Sequence, residues 1–183
     1  MAWIGNSAMA RSDAIDAARD YARQAGIDAV SVDAAPRPAS PYNWTAIVFD
    51  GDNYHYAHLN TRRSEPLPAS PDDHFIRRFS APYQPVALAQ WQIAPVFGEP
   101  DVAEVARSVW NAEAFDFFRW FAMFPVLDRI DPPSEEYGLC ANFRDLRFET
   151  PGRERVPFRF GLCDGGGTWR LFERTADGLR WLN

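Results

Sequence analysis

His55 and His58 are the first residues in this sequence whose types and spacing point to chemistry. Two histidines three apart can grip one metal ion when they sit on a helix, and Asp50 and Asp52 stand close by in sequence as further oxygen donors. Their setting argues against it. Trp44–Phe49 and Tyr54–Leu59 are β-prone runs on either side of Asp50-Gly51-Asp52-Asn53, a strong short-range hairpin signal. On a strand, a spacing of three sends the two imidazoles to opposite faces. Aspartates in such a turn mostly bond their own backbone. No metal site is expected, with His55 and His58 as the residues to watch.

Three other groupings invite a chemical reading. Asp164-Gly165-Gly166-Gly167 has the glycine content of a phosphate-cradling loop, but a phosphate loop feeds a helix. Here the next residues, Trp169-Arg170-Leu171-Phe172, read as a strand, so a hairpin turn is expected. Arg144, Asp145, Arg147 and Arg159 form a charged patch that could take an anionic ligand or a partner; the plainer reading is a cross-strand Asp145–Arg159 pair that sets register. Cys140 and Cys163 lack zinc-type spacing. With only three histidines, no Ser/His/Asp or Cys/His arrangement is recognisable. No catalytic residue and no cofactor is assigned.

The elements that must position these residues follow from periodicity. Ser12 can cap a helix over Asp13–Ala25, with Gly26 as its stop. Its stripe of Ile15, Ala18, Ala22 and Ala25 is thin, so residues 1–34 read as a helical arm or connector, and 35–183 as a single domain. Ala35–Tyr42 is proline-rich and extended. Ser70 and Pro71 open a short helix reaching Phe79, and Val86–Gln92 adds a helical turn or two. Pro100-Asp101 starts a helix with Val102, Val105, Ala106 and Val109 on one face. After a bend near Asn111 comes an aromatic helix with Phe115, Phe117, Phe118, Trp120, Phe121 and Phe124, stopped by Pro125. Being apolar nearly all round, it reads as a buried core helix, too short for the roughly twenty residues that cross a bilayer. Trp110 and Trp120 also suit a membrane interface, though no basic face accompanies them.

Beyond Pro132-Pro133 the pattern turns strand-like, with runs at Gly138–Glu149, Val156–Cys163 and Thr168–Thr175. The expected fold is α+β: one antiparallel sheet holding the hairpin and this three-stranded meander, covered by the Val102–Phe124 helical region. Setting Leu146 opposite Phe158 also places Phe148 against Val156 and Asp145 against Arg159. In that register Cys140 and Cys163 differ in parity and point to opposite faces, so no disulfide is expected. A register slipped by one would pair the cysteines but set Phe148 against Arg155 and Leu146 against Pro157.

Composition narrows the classes. The chain has 183 residues, a net charge of −6, and arginine as its sole strong base, which argues against a nucleic-acid partner. A negative mean hydropathy and the lack of a long apolar run read as a soluble chain. No signal peptide is evident, and Met1–Ser7 reads as the remnant of something longer or an expression scar.

Several stretches taken together resemble a known family. These are Pro36-Arg37-Pro38-Ala39-Ser40-Pro41-Tyr42-Asn43-Trp44 with the following Asp50-Gly51-Asp52 and Tyr54, then Phe118-Arg119-Trp120-Phe121 with Phe124-Pro125, then Asp145-Leu146-Arg147-Phe148. In this order, from about Pro36 to Phe172, the chain is similar to the soluble C-terminal region of the YdjM-type bacterial inner-membrane proteins, labelled membrane-bound metal-dependent hydrolases. That label belongs to a histidine motif in the membrane-embedded N-terminal half, which nothing here matches. The resemblance implies a non-catalytic module for binding, docking or regulation, partnered by its own membrane-embedded region. Cysteines read as unpaired place it on the cytoplasmic face. The alternative is a free-standing α+β enzyme or ligand carrier with an aromatic-lined pocket.

Overall fold

The computed structural model describes residues 2–151, 153 and 156–182. Met1 and Gly152, read from sequence as part of a remnant or expression scar and of a turn, lie outside the described residues. The fold is α+β, and the chain divides into two compact units, Met1–Ala94 and Pro95–Asn183. Each is built on its own sheet, so the hairpin and the meander, expected in one sheet, belong to two.

In the first unit α1 (Ala2–Ala25) packs on β1 (Ser31–Pro36) and β2 (Asn43–Phe49), and β3 (Asn53–Asn60) completes the hairpin. The helix begins well before Ser12, which lies inside it, because the preceding residues include strong helix formers and Ala10 seats beside Trp44. It ends as expected at Gly26, at φ +67°, where Ile27 N–H reaches back to Ala22 O at 2.9 Å. Ala10, Ala14, Ala18 and Ala22 are all buried. Four small side chains on one stripe let the helix lie close on Trp44, Ala46, Val48, Ala57 and Leu59. The segment read as an arm is therefore a layer of this unit. The hairpin pairs Asn43 with Asn60 through to Phe49 with Tyr54. Its turn is held by Asp50 Oδ1, which accepts N–H groups of Asp52 and Asn53 at 2.9 and 2.7 Å. β1, which spans the end of the segment read as an arm and the start of the stretch read as extended, adds along β2 with Ala34 opposite Ala46.

Beyond the hairpin, α2 (Phe75–Ser80) is capped by His74 rather than Ser70. It leads to β4 (Gln84–Pro85), parallel to β3, and β5 (Gln92–Pro95), also paired with β3.

The second unit runs α3 (Ala103–Asn111), a 3-10 turn at Glu113–Phe115, α4 (Asp116–Phe121), β6 (Pro125–Asp131), β7 (Cys140–Asp145), β8 (Arg159–Asp164), β9 (Trp169–Thr175) and β10 (Gly178–Trp181). The strands lie in the order β10-β9-β8-β7-β6, each antiparallel to its neighbours. The expected meander is β7–β9. β6 was hidden behind Pro125, read as a helix stop; proline is tolerated as the first residue of an edge strand. The helical region covers one face: Ala106, Val109, Phe115 and Phe118 pack on Ala141, Phe143, Phe160 and Leu162. α4 is not buried all round, however. Phe118 is 1% exposed, while Trp120 is 81% and Phe117 50% exposed.

Cys140 and Cys163 form a disulfide, contrary to the register read from sequence. They stand directly opposite each other, followed by Ala141–Leu162, Asn142–Gly161 and Phe143–Phe160. The expected register extended the strand to Phe148. In fact β7 stops at Asp145, whose Oδ1 accepts Arg147 N–H at 2.8 Å, and Leu146–Phe148 turns away as a 3-10 helix. Phe148 then needs no partner on β8; its ring stacks on Phe121 instead, 5.8 Å between centroids. Gly161 suits the observed register, since a Cβ there would collide with the Ala141 carbonyl and the Phe172 ring.

Candidate ligand-binding site

Alternation along β2 and β3 gives the first sheet two unlike faces. One face, with Trp44, Ala46, Val48, Ala57 and Leu59, lies under α1. The other carries Asn43, Thr45, Tyr56, His58 and Asn60, all buried. Buried polar groups need partners, and here they find one another. Asn60 Nδ2 donates to Asn43 Oδ1 at 2.7 Å, and Asn43 Nδ2 donates to Ser80 Oγ at 2.9 Å. His58 Nδ1 and Thr45 Oγ1 are hydrogen-bonded at 3.0 Å, and Arg37 Nε donates to Tyr83 OH at 3.1 Å.

His58 is held neutral. Burial, reinforced by the nearby charge of Arg37, lowers its pKa from 6.5 to about 3. Its Nε2 has no hydrogen-bond partner among the described residues. The unfolded chain, titrating near 6.5, therefore binds more protons than the folded one between those two values. This stabilisation is complete above pH 6.5 and is lost as pH falls toward 3. Lowering the pH from about 7 to about 5 should remove roughly 2 kcal/mol through this one group. His58→Gln should flatten that slope in urea titrations at the two pH values. An equally steep loss in the variant would place the acid sensitivity elsewhere.

The same polar network forms one wall of a pocket of about 590 Å³. Asn60 and Ser80 contribute its buried side, Leu67 and Ile76 its apolar part, and Arg62, Arg63 and Arg77 its charge, with His74 also at its edge. The construction is specific. Asn60 Oδ1 accepts the backbone N–H groups of both Arg62 and Arg63, each at 3.1 Å, which fixes how the two arginines leave β3. Arg63 reaches across to the carbonyls of Ser80 and Tyr83 at 3.1 Å, tying the strand end to the segment after α2. Arg62 donates to Tyr42 OH at 2.8 Å. Arg77 donates to Pro68 O at 2.9 Å and lies 3.4 Å from Asp73. Among the described residues neither Arg62 nor Arg63 has a carboxylate partner. Burial and the charge of Arg77 both lower the pKa of Arg63.

The residues singled out from sequence fall elsewhere. His55 and His58 do point to opposite faces, as two residues an odd number of positions apart on one strand must. His55 Nε2 lies 3.0 Å from Asp50 Oδ2, and Tyr21 OH lies 3.3 Å from His55 Nδ1, so this imidazole ties α1 to the hairpin. Burial raises the pKa of Asp50, but hydrogen bonds from His55, Asn53 and Asp52 outweigh it and hold the carboxyl well below the usual range. Asp52 sits in the turn. Among the described residues no group of three or more His, Cys, Asp or Glu could hold a metal ion.

The patch of Arg144, Asp145, Arg147 and Arg159 separates into two ion-pair groups. Asp145, fully buried, pairs with Arg147 at 2.7 Å and accepts Met123 N–H at 2.8 Å, while Arg147 also donates to Phe121 O at 2.7 Å. Arg144 pairs with Glu149, and Asp128 lies 3.5 Å from Arg144 and 3.8 Å from Arg159. The expected Asp145–Arg159 pair does not form, because β8 starts at Arg159 and Asp145 stands opposite Pro125 instead. Asp164-Gly165-Gly166-Gly167 is the β8–β9 turn, Asp164 Oδ1 accepting Gly166 N–H at 2.9 Å.

The pocket residues Asn60, Arg62, Arg63, Arg77 and Ser80 escaped the sequence reading. A signal was there: two adjacent arginines follow the hairpin in an acidic chain, and the hairpin register itself places Asn43 beside Asn60. Compared with models of protein families, with curated proteins and with solved structures, the chain finds no match.

Proposed function

We propose that this chain is a non-catalytic ligand-binding or docking module, the soluble part of a membrane-bound protein of the YdjM-type family. The pocket beside Asn60 and Ser80 is the observation that carries it. Its three arginines stay charged and neither take nor give a proton near neutral pH, so they suit holding a ligand rather than transforming it. The stretches behind the resemblance have matching structural work: Asn43 supports the pocket wall, and Asp145 with Arg147 clamps the end of α4. No described helix is long and apolar enough to cross a membrane, so attachment falls to the parent's membrane-embedded region as the module's partner. Nucleic acid is not among the proposed partners.

The side of the membrane changes with the disulfide. The cytoplasmic placement rested on unpaired cysteines; a Cys140–Cys163 bond favours an oxidising compartment, hence the extracytoplasmic face. Fractionation of the native cells, with an antibody to this domain, tests the reading. The antigen should sediment with membranes, resist a high-salt wash and run well above 20.8 kDa. A soluble species of that mass would overturn it. It would favour instead a free-standing ligand carrier, which finds support in a hollow of about 400 Å³ lined by Trp169, Trp181, Leu171 and Arg170.

A further inference from the structure

We infer that the pocket between the end of β3 and α2 binds the phosphate group of a small phosphorylated molecule. This rests on the reading of the chain as a ligand-binding module and names the ligand class. Three arginines line one cavity, and like charges brought together cost free energy unless a counter-charge sits among them. Asp73 offsets Arg77, but Arg62 and Arg63 are matched by no carboxylate among the described residues. Two unmatched positive charges call for a dianion, which a phosphate monoester supplies near neutral pH and a single carboxylate does not. Arginine forks suit phosphate oxygens, while Ser80 and Asn60 add hydroxyl and amide groups at the buried wall.

The position is built rather than incidental. In a chain of net charge −6, these arginines are fixed by Asn60 Oδ1, by the Ser80 and Tyr83 carbonyls and by Tyr42 OH. At about 590 Å³ the pocket exceeds what one phosphate fills, and Leu67, Ile76 and Tyr42 offer apolar contact to the rest of the molecule.

Pyrophosphate is the probe, titrated calorimetrically into the full chain at ionic strength matched with chloride. Saturable binding is expected, weakened about tenfold or more in Arg62→Gln/Arg77→Gln, whose side chains lie at the exposed rim, through loss of charge-assisted bonds. Arg180→Gln, remote in sequence and exposed, should bind as the parent does. Arg62→Gln alone keeps the comparison available if the double variant unfolds. Absence of saturable binding, or equal affinity in the pocket variants (an adventitious ion only), overturns the inference and leaves the module reading standing. Release of orthophosphate by the parent but not by the pocket variants would support the phosphate site and defeat the non-catalytic reading. Co-sedimentation with phosphatidic acid vesicles, whose headgroup is itself a phosphate monoester, lost in the same variants, would assign the phosphate to a lipid headgroup.

Discussion

Phe118→Ala should cost the second unit about 3–5 kcal/mol, the range for truncating a fully buried aromatic ring. Phe118 is 1% exposed and sits within 5.0 Å of the Phe115 ring centroid and 5.7 Å of that of Phe160. Deleting the ring leaves a cavity between α4 and the sheet, and the surrounding phenylalanines are held by further ring contacts that resist collapse into it. Trp120→Ala is the matched control. Two positions along the same short helix, with a larger ring that is 81% exposed, it should change stability by no more than about 0.5 kcal/mol. Urea unfolding followed by circular dichroism separates the two. Equal midpoints for both variants would mean that α4 does not bury the face described here.

Replacing both Cys140 and Cys163 by Ala should lower the stability of the same unit by about 3 kcal/mol. The bond joins residues 23 apart, and a cross-link closing a loop of that size removes about this much entropy from the unfolded chain. Both sulfurs are fully buried beside Phe172. Reductant should therefore act slowly on the folded protein and promptly in denaturant. Denatured, unreduced protein should titrate with no free thiol. Two free thiols would restore the register in which the cysteines face apart, and with it the cytoplasmic placement.

Where local chemistry decides the structure, the sequence was enough. Asp50-Gly51-Asp52-Asn53 closes a turn through its own side chains, and the alternation of the flanking runs then sets every pair from Asn43–Asn60 to Phe49–Tyr54. The opposed directions of His55 and His58 follow from that alternation alone. Gly26 ends α1 because glycine reaches a positive φ cheaply. The α+β class and the helical cover over the meander were legible for the same reason: periodicity is a property of contiguous residues.

What the sequence left open depends on partners distant along the chain. Whether β7 runs on to Phe148 or turns off at Asp145 depends on that carboxylate meeting Met123 and Arg147, and on Phe121 being there to receive Phe148. A strand three residues shorter left the register free to shift by one, and the register decided the disulfide. The faces of α4 look alike in sequence, since phenylalanine and tryptophan occupy both; only the position of the sheet buries Phe118 and leaves Trp120 in solvent. The pocket is the furthest from reach. Asn60 and Arg63 at the end of β3, and Arg77 and Ser80 on α2, come from two segments with ordinary local readings, and their chemistry exists only where these segments meet at one cavity, with Asn43 bonded to Ser80 behind it.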